Sequence, residues 1–165
     1  MESNEYYYGI NYNDSNNIDE ILKNKESSRR FGEAIAINLF IGNKINEKII
    51  NIAENNKDFS YGLGMSVAKI LFSLNDNLYN YIIKYSKKNQ EFAHGLGYSL
   101  GKIIAFLSDD LIKKAIEIGN NNKCLSRTMG NAISDSINSI ENNKKELLLK
   151  FSISNKNFSE GLEQK

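Results

Sequence analysis

Proline and tryptophan are absent from the 165 residues, and cysteine and histidine occur once each. Proline fixes φ, lacks an N–H and serves turns and sheet edges, so a β-rich or loop-rich chain normally uses it, whereas helices are best built without it. The one cysteine, Cys124, has no partner for an internal disulfide, and the one histidine, His94, cannot hold a metal alone. This cysteine usage fits a reducing compartment, and a cytoplasmic location is expected. An excess of one charge is also missing: Lys and Arg number 21 against 20 Asp and Glu, a net of +1. Nucleic-acid backbones and anionic membranes demand a basic excess, so neither is expected as a partner. Residues Met1 to Ile18 hold no apolar run resembling a signal peptide, and later apolar stretches are broken by Lys or Asp before they reach the length of a bilayer span.

What remains is ordinary for a globular chain, with 41% hydrophobic and 25% charged residues. The length suffices for one domain with its own core. Abundant Asn, Lys and Ile read as codon bias. The informative feature is a repeat. Phe59-Ser-Tyr-Gly-Leu-Gly returns as Phe92-Ala-His-Gly-Leu-Gly, then in degraded form as Leu125-Ser-Arg-Thr-Met-Gly, and again as Phe158-Ser-Glu-Gly-Leu, at a spacing of 33 residues each time. Asn56, Asn89, Asn122 and Asn155 keep the same period, and Ser28-Arg-Arg-Phe-Gly-Glu fits as an earlier copy after a slip of one residue.

Each unit divides into two stretches of helical period. Helix A runs over about Phe59 to Ser73, with Phe59, Leu63, Val67, Ile70 and Leu74 on one face; helix B runs over about Asn77 to Lys87, with Leu78, Ile82, Ile83 and Tyr85 inward. Asn75-Asp76-Asn77 and Ser108-Asp109-Asp110 supply N-caps at the A-to-B junctions. The recurring Asn either closes helix B or caps the next helix A. The expected fold is an all-α, right-handed α-solenoid of about four two-helix repeats with half-repeats at both ends. A polar leader occupies 1–16 and one domain 17–165, with units at about 28–58, 59–91, 92–124 and 125–157 and a partial unit at 158–165. Ile18, Ile21 and Leu22 read as a lone helix B in front of the first hairpin.

Glycine inside a helix costs about 1 kcal/mol relative to alanine, so two in one turn need a reason. With 100° per residue, Gly62 and Gly64 lie on opposite flanks of Leu63, as Gly95 and Gly97 do about Leu96. One glycine then serves the neighbouring helix on each side. The second begins a stripe of small residues, such as Ser60, Gly64 and Ala68 or Ala93, Gly97 and Gly101, which lets A helices approach closely. Bulkier B contacts such as Tyr85, Ile118 and Phe151 bend the stack, which places the A helices on its concave side.

From about Asn16 onward the chain resembles an α-solenoid of the broad class that holds tetratricopeptide, HEAT and armadillo repeats. The resemblance is to the architecture: the Thr-Pro-Leu-His signature of ankyrin repeats and the Trp, Tyr and Pro of tetratricopeptide repeats are missing. It implies a binding scaffold.

The candidate chemistry is sparse. Gly95-Leu-Gly-Tyr-Ser-Leu-Gly lies inside a helix repeat, with the spacing of no dinucleotide loop. His94 lacks an oriented partner. Cys124 at a helix start is a place where a thiol pKa can fall. Asp109-Asp110 sits where a helix N-terminus favours acids. Tyr6 to Tyr8 in the leader either pack on the first hairpin or form a short partner motif. No constellation for catalysis or a cofactor emerges, so neither an enzyme nor a cofactor is expected.

The outward face of the A helices carries the stronger signal. It comprises Arg29, Glu33, Ile37 and Phe40 in the first unit, and Tyr61, Met65, Lys69 and Phe72 in the second. His94, Tyr98, Lys102 and Ala105 follow in the third, then Arg127, Asn131, Asp135 and Asn138 in the fourth. Aromatic residues, Met and Arg are enriched at interface hot spots. A partner groove of Tyr61, Met65, Lys69, Phe72, His94, Tyr98, Lys102 and Arg127 is expected, taking a peptide or helix of another protein. The alternative is a structural, self-assembling protein, with a homodimer through the C-terminal hairpin that buries Leu148, Phe151 and Phe158.

Overall fold

The computed structural model describes residues 15–36, 38–39 and 44–164. Among these residues the chain is all-α, with ten α-helices. They are α1 (Ser15–Lys23), α2 (Lys25–Ile35), α3 (Glu47–Asn55), α4 (Lys57–Ile70), α5 (Asp76–Lys88), α6 (Gln90–Ile103), α7 (Asp109–Asn120), α8 (Lys123–Ser134), α9 (Asn142–Ser154) and α10 (Lys156–Glu163). Single 3-10 turns, Leu71–Ser73, Ile104–Phe106 and Ile137–Ser139, follow α4, α6 and α8. Tyr6 to Tyr8, Ile37 and Phe40 lie outside the described residues.

The even-numbered helices are the A helices. The densest packing runs from α2 to α4, α4 to α6, α6 to α8 and α8 to α10, an i/i+2 pattern consistent with solenoid-like repeats. Each A helix also packs against the B helix before it, so α1 stands to α2 as α3 does to α4. The core is built of columns. Phe59, Phe92, Leu125 and Phe158 are fully buried, and so are Phe31, Leu63, Leu96 and Met129. The B helices add Ile49, Ile82, Ala115 and Leu148. Each large aliphatic or aromatic side chain buried this way contributes about 1.5–3 kcal/mol, offset largely by the conformational entropy of ordering the chain.

The glycines act as their flanks demand. A Cβ on Gly64 would collide with the Phe92 carbonyl oxygen and stand 3.0 Å from Leu96 N. A Cβ on Gly95 would collide with the Tyr61 carbonyl oxygen and stand 3.0 Å from Met65 N. One seam therefore has a reciprocal pair, in which each glycine lies on the backbone of the other helix. Gly32 with Gly62 makes the same pair at α2–α4, and Gly130 with Gly161 at α8–α10. Contacts advance in the same direction along paired helices, Gly62 on Arg29 and then Ser66 on Glu33 at α2–α4, Gly97 on Leu125 and then Gly101 on Met129 at α6–α8, so these A helices run parallel. The hydrogen that replaces Cβ faces a carbonyl oxygen, the geometry of a weak Cα–H···O bond. At α6–α8 the arrangement is lopsided. Thr128 takes the place of one glycine, and both Gly97 and Gly101 lie opposite, on Leu125 and Met129 carbonyls.

The recurring asparagine performs both of its expected tasks at once. The Asn89 N–H closes α5 by donating to the Tyr85 carbonyl at 3.0 Å. Its side-chain oxygen caps α6 by accepting from Phe92 N at 3.0 Å, and its amide donates to the Ala53 carbonyl of the preceding B helix at 3.2 Å. Asn56 reaches Leu22 in α1 at 3.0 Å and Asn122 reaches Ser86 in α5 at 3.0 Å. Asn24 caps α2 through Ser27 N at 3.0 Å, a further copy of the same residue. The lone helix in front of the first hairpin is thus tied in as a B helix.

Candidate functional site

A line of paired side chains crosses the outward face of four A helices. The Arg29 guanidinium of α2 sits over the Tyr61 ring of α4 at 5.1 Å, and Arg29 also meets Glu33 at 3.2 Å and the Met65 sulfur at 3.5 Å. The rings of Tyr61 and Tyr98, on α4 and α6, lie 6.5 Å apart with a tilt of 42°. Lys102 Nζ stands 5.5 Å over the Tyr98 ring and 3.8 Å from the Asp135 carboxylate of α8. The close approach forced by the glycines is what brings side chains of successive helices into reach. Burial pushes the Tyr61 hydroxyl above its ordinary pKa, partly countered by Arg29 and reinforced by Tyr98 and Glu33.

The expected groove residues divide accordingly. Tyr61, Met65, Tyr98 and Lys102 are brought together. Tyr61, Met65, His94 and Tyr98 are half-buried, while Lys69, Lys102 and Arg127 are exposed. His94 Nδ1 lies 3.5 Å from the Glu91 carboxylate of its own helix. Arg127 Nε lies 3.2 Å from the Gln164 side-chain amide beyond α10. Phe72 is placed differently: it packs against the hydrophobic core, as Ala105 does. Both lie in 3-10 turns, where the step per residue changes from 100° to about 120°. The residue that points out at this level is the next one, and Phe106 is 87% exposed. Arg29, Glu33 and Asp135 belong to the line although they are not among the eight expected groove residues. Their place in the outward columns was the signal for them.

The face is not a bare cationic surface. Arg29 has Glu33, Lys102 has Asp135 and His94 has Glu91 within ion-pair distance. What it offers is half-buried aromatic and thioether area held between charged pairs. Such an arrangement suits contact with apolar anchors.

The other candidates have structural occupations. The Cys124 thiol is pushed up to about 11, first by burial and then by Glu91, the reverse of the lowering that a helix start suggests. Asp109 accepts from the Asn143 amide at 3.1 Å, and Asp110 pairs with Lys113 at 3.1 Å. Gly95, Gly97 and Gly101 lie against helix backbones. Leu148, Phe151 and Phe158 are buried within the chain, and the exposed large apolar residues of that hairpin are Leu149 and Ile153. Two surface hollows of about 360 and 460 Å³ lie at the B-to-A turns around Asn89 and Asn122, and neither includes a residue of the Tyr61–Tyr98 line. Among the described residues no cluster of His, Cys, Asp or Glu is arranged to hold a metal ion, and no helix is long and apolar enough to cross a membrane. No family model matches the chain, and neither a curated protein nor a solved structure does.

Proposed function

We propose that this chain is a non-catalytic protein-interaction module, a right-handed α-solenoid of the tetratricopeptide and HEAT type. Its A helices line the concave side and bind a peptide or helix of a partner. The single observation that carries the reading is the Arg29–Tyr61–Tyr98–Lys102–Asp135 line, continuous over four helices. A surface with no task other than solvation has no use for two half-buried tyrosines and a methionine between charged pairs, whereas hot spots are built from such residues. The internal pairs hold the aromatics in place before a partner arrives, which reduces the entropy lost on binding. His94 and Arg127 extend the face beside the line, and Lys69 flanks it.

The partner segment that fits carries two or more apolar anchors spaced to meet Tyr61 and Tyr98, with acidic residues where Lys69 and Arg127 are exposed. The test compares the parent chain with Tyr61→Ala/Tyr98→Ala as bait in extracts of the native source. Proteins retained by the parent and lost from the variant are then purified and titrated. The expected result is a partner whose affinity falls by more than about 2 kcal/mol in the variant. A partner that binds both chains equally refutes this face as the site.

A further inference from the structure

We infer that Met65 is a reversible oxidation site whose sulfoxide draws the Arg29 guanidinium off the Tyr61 ring. Three groups share that guanidinium. Its Nε meets the Glu33 carboxylate at 3.2 Å, its Nη2 donates to the Met65 sulfur at 3.5 Å, and its Cζ stands 5.1 Å over the Tyr61 ring. Glu33 belongs to the same helix as Arg29, whereas Tyr61 and Met65 stand one turn apart on α4. A thioether is a weak acceptor, so the cation is left to rest on the ring. A sulfoxide is polar, and its oxygen accepts strongly from a cationic N–H. The guanidinium is a rigid planar fork. With Nε held by Glu33, a stronger bond at Nη2 turns that plane toward the sulfur and away from the ring.

The sulfur is placed to react. Met65 is half-buried on the outward face, whereas Met129 is fully buried in the core, and Met1 lies outside the described residues. The half-buried Cys124 is kept as the thiol, because burial pushes its pKa up to about 11, and the thiolate is the form that peroxides oxidise. The co-reactant is hydrogen peroxide. The Met65 sulfur gives an electron pair to one peroxide oxygen, the S–O bond forms and the O–O bond breaks. The departing hydroxide takes the proton left on the transferred oxygen and leaves as water. The sulfur is oxidised and the peroxide is reduced, each by one electron pair. A thiol-dependent sulfoxide reductase reverses the step: the oxygen leaves as water and a pair of thiols joins as a disulfide. The consequence for binding rests on the partner face proposed above. There the sulfoxide puts a polar group where an apolar anchor is received, and it unties the cation that steadies Tyr61. The oxidation and the movement of Arg29 stand without that reading.

The experiment treats the full chain with dilute hydrogen peroxide at neutral pH, folded and in urea, and needs no partner. Peptide mass spectrometry reads which sulfur gains oxygen. In the folded chain Met65 should be oxidised about tenfold faster than Met129, since susceptibility follows exposure, and in urea the two rates should converge. The side-chain Nε–H signal of Arg29, assigned through Arg29→Lys, reads the movement by nuclear magnetic resonance. Over the ring this proton is shielded. On oxidation it should move downfield, toward its position in Tyr61→Leu, while the Arg30 and Arg127 signals stay. The two epimer-specific sulfoxide reductases with dithiothreitol should restore both the mass and the signal. In Met65→Leu, whose helix content should match the parent by circular dichroism, peroxide should leave the Arg29 signal where it is. Equal oxidation of Met65 and Met129 in the folded chain overturns the inference. So does an Arg29 signal that stays put with the sulfoxide in place, or a loss of helix on oxidation, which would make Met65 a core residue.

Discussion

Gly64 lies against the main-chain oxygen of Phe92 so closely that a Cβ on it would overlap that oxygen. The atom in the way is backbone, in a neighbouring helix that cannot turn aside as a side chain does. Helix propensity alone gives Gly64→Ala a gain of about 1 kcal/mol, but the clash outweighs it, since overpacking costs about 1–3 kcal/mol and more where the backbone must move. Gly64→Ala is therefore expected to lose about 1–2 kcal/mol in urea denaturation, and Gly64→Leu several. Gly119 is the contrast. A Cβ there meets only side-chain ends, Phe151 Cζ at 3.0 Å and Met129 Cε at 3.3 Å. Gly119→Ala should change stability by less than about 1 kcal/mol in either direction. If Gly64→Ala melts above the parent, the reciprocal glycine pair is not what sets the seam.

The asparagines differ in how much rests on them. Asn122 is buried, accepts from Leu125 N at 3.1 Å and donates to the Ser86 carbonyl at 3.0 Å. Its replacement by alanine removes a cap worth about 1 kcal/mol and leaves a buried carbonyl short of a donor at about 1–3 kcal/mol. A loss of about 2–3 kcal/mol is expected. Asn24 caps Ser27 N at 3.0 Å in an exposed turn, and Asn24→Ala should cost about 1 kcal/mol or less. Equal costs at the two sites would mean that capping alone, without the link to the preceding helix, accounts for the residue.

Much of this architecture was legible because backbone contact leaves so little freedom. Two glycines around one leucine must face opposite neighbours, and Gly62 and Gly64 do. The period of Asn56, Asn89, Asn122 and Asn155 likewise located every junction it marks. Asn24 escaped notice because the first unit is one residue short, which puts it 32 residues before Asn56 instead of 33. Phe72 was misplaced for a geometric reason: α4 ends at Ile70, and a phase of 100° carried past that point no longer describes the chain. The pairing of Arg29 with Tyr61 and of Lys102 with Asp135 needed the approach of helices that a sequence column does not convey.

Alkaline pH should destabilise the fold in two stages. Burial holds the Cys124 thiol near 11 against an ordinary 9.0, and holds the Tyr85 hydroxyl near 12 against 10.0. Each group is neutral when protonated and has a folded pKa above its unfolded value. Its stabilising contribution is complete below the unfolded pKa and is lost as pH rises through the folded one. The urea midpoint should fall first between pH 9 and about 11, a step that Cys124→Ser removes, and then between pH 10 and about 12, a step that Tyr85→Phe removes. A midpoint that is flat to pH 11 counts against a raised pKa for the half-buried thiol.

The same burial governs reactivity. At pH 8 the thiolate fraction of Cys124 is about a hundredfold below that of a free cysteine. A more basic thiolate is a better nucleophile, with a Brønsted slope of about 0.4–0.5, which recovers roughly tenfold of that. Iodoacetamide should modify the folded chain about tenfold more slowly than the urea-unfolded chain. A folded-state rate equal to or above the unfolded one would mean that the helix start, not burial, sets the thiol.

The tyrosine line can be divided into what it does for the fold and what it does for a partner. Tyr61 and Tyr98 are half-buried and touch each other across the α4–α6 seam, which is held independently by Gly64 and Gly95. A tilted aromatic pair is worth about 0.5–1.5 kcal/mol, and the exposed cation–π contacts of Arg29 and Lys102 about 0.5–1 kcal/mol each. Truncating either tyrosine to alanine should cost about 1 kcal/mol in urea denaturation, and a double-mutant cycle should return a coupling within the aromatic-pair range. The seam stays closed, so the double variant remains folded and helical. Binding behaves differently if the line is a hot spot, because truncation removes contact area and also frees Arg29 and Lys102 from the rings that hold them. Calorimetric titration of the partner should then show a loss above about 2 kcal/mol for the double variant, larger than its loss of stability. Stability that falls as far as binding, or a double variant that melts cooperatively with the core, would make the line a brace between A helices and leave the face without a partner.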